Sequence, residues 1–199
     1  MRTARLGWTI AAVAGVLTSC TATVEGTASP GGPPDLGAAL SVQLPGLRPA
    51  GPPPPPPWQL CATAVGTPAP LLDPALGDPV AVGRTSGDAT LHVYAWATSA
   101  PMVADAILDQ AEMEAPDCAS SPPSTEDVAA RSVDEWAGSG WTGVSIRTEA
   151  PGPEPGFRET RLVHFDEVVV LVVLTTEGRG PDVLPVVDEY LAEVADRLR

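Results

Sequence analysis

Seven consecutive apolar residues, Val168 to Leu174 (VVVLVVL), constrain this 199-residue chain more than any other feature. The run is strand-sized and falls far short of the roughly twenty apolar residues a bilayer-spanning helix needs. Successive side chains of a strand point to opposite faces, so this segment is apolar on both and belongs in the middle of a sheet. Its neighbour in sequence, Arg158 to Phe165, reads as a second strand, with Asp166-Glu167 between them as a tight hairpin turn. Thr90 to Ala97 sets Leu91, Val93 and Ala95 on one face against His92, Tyr94 and Trp96 on the other. Thr142 to Thr148 alternates again, with Val144 and Ile146 inward.

Two segments carry helical periodicity. Ser99 offers an N-cap, Pro101 suits a first turn, and Val103, Ile107 and Ala111 recur every four residues, which predicts a helix ending at Pro116. Asp182 to Arg199 places Leu184, Val187, Leu191, Val194 and Leu198 at spacings of 3, 4, 3 and 4, with Arg197 and Arg199 at the negative end of the helix dipole. Strands and helices that do not alternate regularly predict an α+β fold: a mostly antiparallel sheet with helices packed on one face. No internal repeat is visible.

The N-terminus reads as an address. Arg2 and Arg5 precede an uncharged stretch from Leu6 to Val16, of h-region length. Leu17-Thr18-Ser19-Cys20 then matches a bacterial lipobox, in which small residues lead to a cysteine that is diacylated after cleavage. A general signal peptide with an incidental cysteine is the alternative. Two or three acyl chains on Cys20 give stable anchoring, at about 0.8 kcal/mol per buried methylene. Residues 1–19 are thus expected as a leader and 20–57 as a Pro/Gly-rich tether containing six prolines, Pro52 to Pro57, suited to stiff polyproline II. The tether could instead be a Pro-rich ligand for an SH3-like groove, a poor fit to an exported chain. Asp35 to Leu44 is its one stretch with helical potential. A single domain is expected over 58–199, outside the cytoplasmic membrane.

Charge and side-chain inventory narrow the function. All 11 basic residues are Arg against 25 acids, for a formal net charge of −14. That sign repels phosphate backbones, so no nucleic-acid partner is expected. His92 and His164 lie in strands without ligand-spaced neighbours, so no metal and no cofactor is expected. There is no G-x-S-x-G elbow, and Gly138-Ser139-Gly140 reads as a turn between Trp136 and Trp141. Acid pairs such as Asp134-Glu135 and Asp166-Glu167 are what 25 acids produce by chance, so no catalytic residues are assigned. Tyr94, Trp96 and Trp141 either anchor the core or line a groove for an apolar or glycan ligand. With Cys20 acylated, Cys61 and Cys118 are the two thiols left in an oxidising compartment, which predicts one disulfide; two buried free thiols are the rival.

VYAWATSAPMVADAILDQAEMEAPDC (Val93 to Cys118) and RLVHFDEVVVLVVLTTEG (Arg161 to Gly178), with the C-terminal helix, resemble the actinobacterial PknH-like extracellular sensor domains and their stand-alone lipoprotein relatives. The matching stretches cover about half the domain. The family typically has four domain cysteines where this chain has two. The resemblance implies an extracytoplasmic, disulfide-bonded, non-enzymatic α+β domain with a ligand groove, and a Lys-free, Arg-rich chain suits a high-GC actinobacterial source. The expected function is a non-catalytic, ligand-binding or sensor-like lipoprotein of the outward-facing cell membrane. Its expected partners are the bilayer, through Cys20, and an envelope ligand or protein. A structural accessory that binds another envelope protein is the alternative, and an envelope hydrolase the third.

Overall fold

The structure, a computed structural model, describes residues 34–57, 76–120, 130–150, 156–177 and 184–199. Among the described residues, seven strands form one antiparallel sheet in the order β1-β2-β3-β7-β6-β5-β4. They are β1 (Arg48–Pro49), β2 (Val80–Ser86), β3 (Ala89–Ala97), β4 (Ala130–Gly138), β5 (Trp141–Ala150), β6 (Gly156–Phe165) and β7 (Val168–Thr176). The helices are α1 (Leu36–Leu40), α2 (Pro101–Ser120) and α3 (Leu184–Leu198). The α+β class expected from the sequence is what forms, and the apolar run is central. β7 pairs with β6 across the Asp166-Glu167 turn, where Phe165 meets Val168, and with β3 on its other side.

The topology explains the position of α2. β3 is the third strand from one edge, yet the next strand in sequence, β4, lies at the opposite edge. α2 carries the chain across β7, β6 and β5 to reach it, and β4 to β7 then return as a meander that brings β7 home beside β3. α2 continues to Ser120, past the expected stop at Pro116. Pro116 removes the one hydrogen bond its N–H would have made to the Glu112 carbonyl, and α2 runs about one turn beyond it despite that loss.

Helices cover both faces of the sheet, not one. Ala104, Leu108 and Ala111 of α2 pack on Tyr94, Trp96, Val144, Ile146, Leu162, Val169, Leu171 and Val173. On the opposite face, α1 and α3 cover Leu91, Val93, Val163, Val168, Val170, Val172 and Leu174. The cause lies in β7, whose alternate residues supply apolar side chains to both sides, and each side needs a cover.

The compact unit also starts earlier than residue 58, at Pro33. Leu36, Ala39, Leu40, Val42 and Leu47 are core residues, and β1 pairs with β2. Asp35 caps α1 by accepting from the Ala38 backbone N–H at 3.0 Å. The far end of α1 is tied by three side chains. The Leu40 carbonyl accepts from Tyr190 Oη at 2.7 Å and from Arg84 Nη2 at 3.1 Å, and the Ala38 carbonyl accepts from Arg197 Nη1 at 3.1 Å. Within the proline run Pro56 is buried, and the Pro54 carbonyl accepts from Tyr94 Oη at 2.9 Å. Residues 34–57 are therefore part of the domain, because five apolar side chains and a set of partnered carbonyls hold them to it.

Burial pushes the Tyr190 phenol up to about 12 from its ordinary 10, with Arg84 and Arg197 opposing the rise. A raised folded-state value keeps its stability below pH 10 and loses it as the pH climbs toward 12. Tyr190→Phe should cost about 1 kcal/mol at neutral pH through the lost hydrogen bond. It should also make the alkaline decline shallower. Urea titrations of both proteins between pH 7 and 11.5 test this, and identical alkaline limbs would contradict the assignment.

Candidate functional site

The sheet brings charged side chains together on the α3 side of β4, β5 and β6. Register does the placing: Ser145 stands opposite Arg161 and Arg147 opposite Glu159, while Asp134 of β4 stands opposite Ser145. These residues share one face because side chains alternate along each strand. Glu159 and Arg161 are each only 2% exposed. Oε1 of Glu159 accepts from Ser145 Oγ at 3.0 Å and from Arg161 Nε, and Oε2 accepts from Arg147 Nε at 3.0 Å. Arg161 reaches further through Nη1, which donates to Asp188 of α3, and its guanidinium lies over the Trp136 ring, 5.1 Å from the centroid. Arg147 Nη1 sits 3.6 Å from Asp134.

This arrangement fixes geometry; it does not poise a proton. Both oxygens of Glu159 are occupied by donors, and Arg161 is held at two nitrogens by two carboxylates. Two guanidinium groups against Asp134, Glu159 and Asp188 leave a formal excess of one negative charge, so the cluster does not make an anion cradle. Its accessible margin is Trp136, Arg147, Asp134 and Asp188, and a ligand would meet an aromatic ring beside a guanidinium and two carboxylates there.

The three aromatic residues expected to line a groove do not meet. Tyr94 and Trp96 stack at 6.5 Å under α2, while Trp141 lies on the opposite face against Phe165 at 5.5 Å. All three are buried, and their polar tips are engaged. Trp96 Nε1 donates to the Gly77 carbonyl at 3.2 Å, and Trp141 Nε1 to the Leu191 carbonyl at 2.8 Å. Tyr94 donates to Pro54 as above, and burial raises its phenol, against the opposing charge of Arg158. They are core anchors on two faces, because strand neighbours 94 and 96 share a side that residue 141 does not.

The histidines are likewise apart. Burial lowers the His92 imidazole. His164 Nε2 lies 2.8 Å from Thr142 Oγ1 and 3.6 Å from the Asp105 carboxylate of α2, while its Nδ1 is buried without a partner among the described residues. Both neighbours sit at the same nitrogen, which is not the relay a nucleophile needs. Cys20, Cys61 and the Cys118 side chain lie outside the described residues.

The network was missed in the sequence reading, although one signal was present. Phe157, Val163 and Phe165 share a strand face with Glu159 and Arg161, so an opposite-charge pair interrupts an otherwise apolar stripe.

No protein-family model matches the chain, and no curated protein matches its sequence. Among solved structures it is similar to the extracellular domain of PknH from Mycobacterium tuberculosis. The two are 11% identical, with a TM-score of 0.49, over 82% of this chain and 89% of that one.

Proposed function

We propose that the chain is a lipid-anchored protein of the cell envelope, exported and acylated at Cys20, whose α+β domain binds a ligand or partner without catalysis. The observation that carries the anchoring is Leu17-Thr18-Ser19-Cys20, placed directly after a charged start and an uncharged stretch of h-region length. Among the described residues no helix is long and apolar enough to cross a membrane, so in this reading the acyl chains carry the attachment.

The non-catalytic half of the reading is supported by how the buried charges are engaged. Glu159, the most enclosed carboxylate, is saturated by Ser145, Arg147 and Arg161. A general acid or base needs a lone pair or proton facing its substrate. The recognition surface in this reading is the margin of that cluster, where Trp136 and Arg147 flank the buried pair.

Cys20→Ala should move the protein from the detergent phase to the aqueous phase in a detergent-partition experiment on whole membranes. Partition unchanged by the substitution would remove the acylation reading.

A further inference from the structure

β4 is the last strand of the sheet, and among the described residues only β5 pairs with it. Its nine residues pair without a bulge, from Ala130 opposite Glu149 to Gly138 opposite Trp141. The hairpin loop is Ser139-Gly140, with φ of 54° and 89°, which is the two-residue type I′ geometry. The pair flanking such a loop exchanges both backbone hydrogen bonds, and bonding alternates along the ladder from there. Gly138, Trp136, Asp134, Ser132 and Ala130 therefore turn their N–H and C=O groups to β5. Ala137, Glu135, Val133 and Arg131 turn theirs outward.

A row of donors and acceptors that no described strand pairs is a template for another strand, and native edges are usually blunted by proline, a bulge, shortness or charged side chains. Of these β4 has only charges, Arg131, Asp134 and Glu135: no proline lies between 130 and 138, and the register is continuous. The order of charges indicates what fits it. Two copies of β4 laid antiparallel about Val133 set Arg131 of each opposite Glu135 of the other, with Ser132 opposite Asp134. The outward groups of residues 131, 133 and 135 then all meet outward groups, as the hydrogen-bond alternation requires. Moving the axis by one or two residues toward Gly138 puts Asp134 against Asp134 or Glu135 against Glu135. Moving it two residues the other way sets Arg131 against Arg131. Like charges directly opposite are destabilising, and opposite ones each contribute roughly 0.2–1 kcal/mol.

We infer that β4 is a self-association edge: a second copy of this chain pairs antiparallel with it across a two-fold axis through Val133, joining two seven-stranded sheets into one. The interface is isologous, the commonest arrangement for a homodimer. It is independent of the acylation at Cys20 and of any ligand at the Trp136 margin.

The test is sedimentation equilibrium of the full-length protein in density-matched detergent. The wild type should sediment as a dimer. Arg131→Glu and Glu135→Arg should each weaken self-association at least tenfold. An equimolar mixture of the two should form a heterodimer, and the double variant Arg131→Glu/Glu135→Arg should dimerise again. Every substituted position belongs to an edge strand, and a thermal melt confirms that each variant folds. A monomeric wild type overturns the inference. So does a dimer that neither charge reversal weakens, or single reversals that the double variant does not rescue.

Discussion

Glu159→Ala is expected to destabilise the domain by about 3 kcal/mol, the lower end of the cost of breaking a buried ion pair, because Arg161 keeps its second carboxylate, Asp188. The charge left behind is Arg161, at 2% exposure, whose guanidinium is roofed by Trp136 and cannot turn to water without displacing the ring. Ser145 and Arg147 would lose an acceptor in the same step. A domain of this size has about 5–15 kcal/mol in total, so the variant should unfold at much lower urea. Replacing the pair together, as Glu159→Leu with Arg161→Met, should recover most of the loss, because apolar groups of similar volume avoid the desolvation cost. The coupling energy comes from the cycle whose single variants are Glu159→Leu and Arg161→Met. Independent, additive effects of the two substitutions would show that the ion pair is not the element holding β6 to α3, and a loss below about 1 kcal/mol for Glu159→Ala would show the same.

The sequence carried the centre of the fold better than its edges. Val168 to Leu174 located the middle strand, and the Asp166-Glu167 turn located its hairpin partner, because uninterrupted apolar residues leave a strand no exposed face. The same run implied a cover on both faces, which the expectation of helices on one side overlooked. Val80–Ser86 and Ala130–Gly138 went unread as strands. Both lie toward the edges of the sheet, where half-exposed positions accept Arg, Thr, Ser, Asp and Glu, and the period-2 apolar signal fades. Residues 34–57 looked like a spacer because Pro and Gly dominate them. Their attachment rests on Leu36, Leu40, Val42 and Leu47, and on carbonyls capped by Arg84, Tyr190 and Arg197, contacts that span up to 159 positions in sequence. The charged cluster was hidden for a similar reason. Arg147, Glu159 and Asp188 come from three elements: register sets Arg147 against Glu159, and the docking of α3 brings Asp188 to Arg161. The aromatic residues gave the opposite lesson: alternation along β3 correctly put Tyr94 and Trp96 on one face, but no pattern ties that face to Trp141 on β5.

Gly143→Ala should destabilise the sheet by about 3 kcal/mol, the upper end of what forced overpacking usually costs. Gly143 lies in β5 between Trp136 of β4 and Val163 of β6. A Cβ built there collides with the Leu162 carbonyl oxygen and comes within 2.7 Å of the Val163 Cα and 2.8 Å of its Cγ1. The first two are backbone atoms, so no rotamer change relieves the contact, and β5 and β6 must separate locally. A glycine inside a strand often marks such a close backbone approach. Separation at this point acts on both neighbouring features. Thr142 and His164 meet at 2.8 Å one residue before it, and Ser145 reaches Glu159 at 3.0 Å two residues after it. The loss should therefore appear in urea titration together with faster amide exchange at Val144 and Leu162, while the amides of β3 and β2 speed up only as far as the lower global stability dictates. A variant as stable as the wild type would mean that the strands can part there at no cost. The charged network two residues away would then owe its geometry to the α3 side of Arg161 alone.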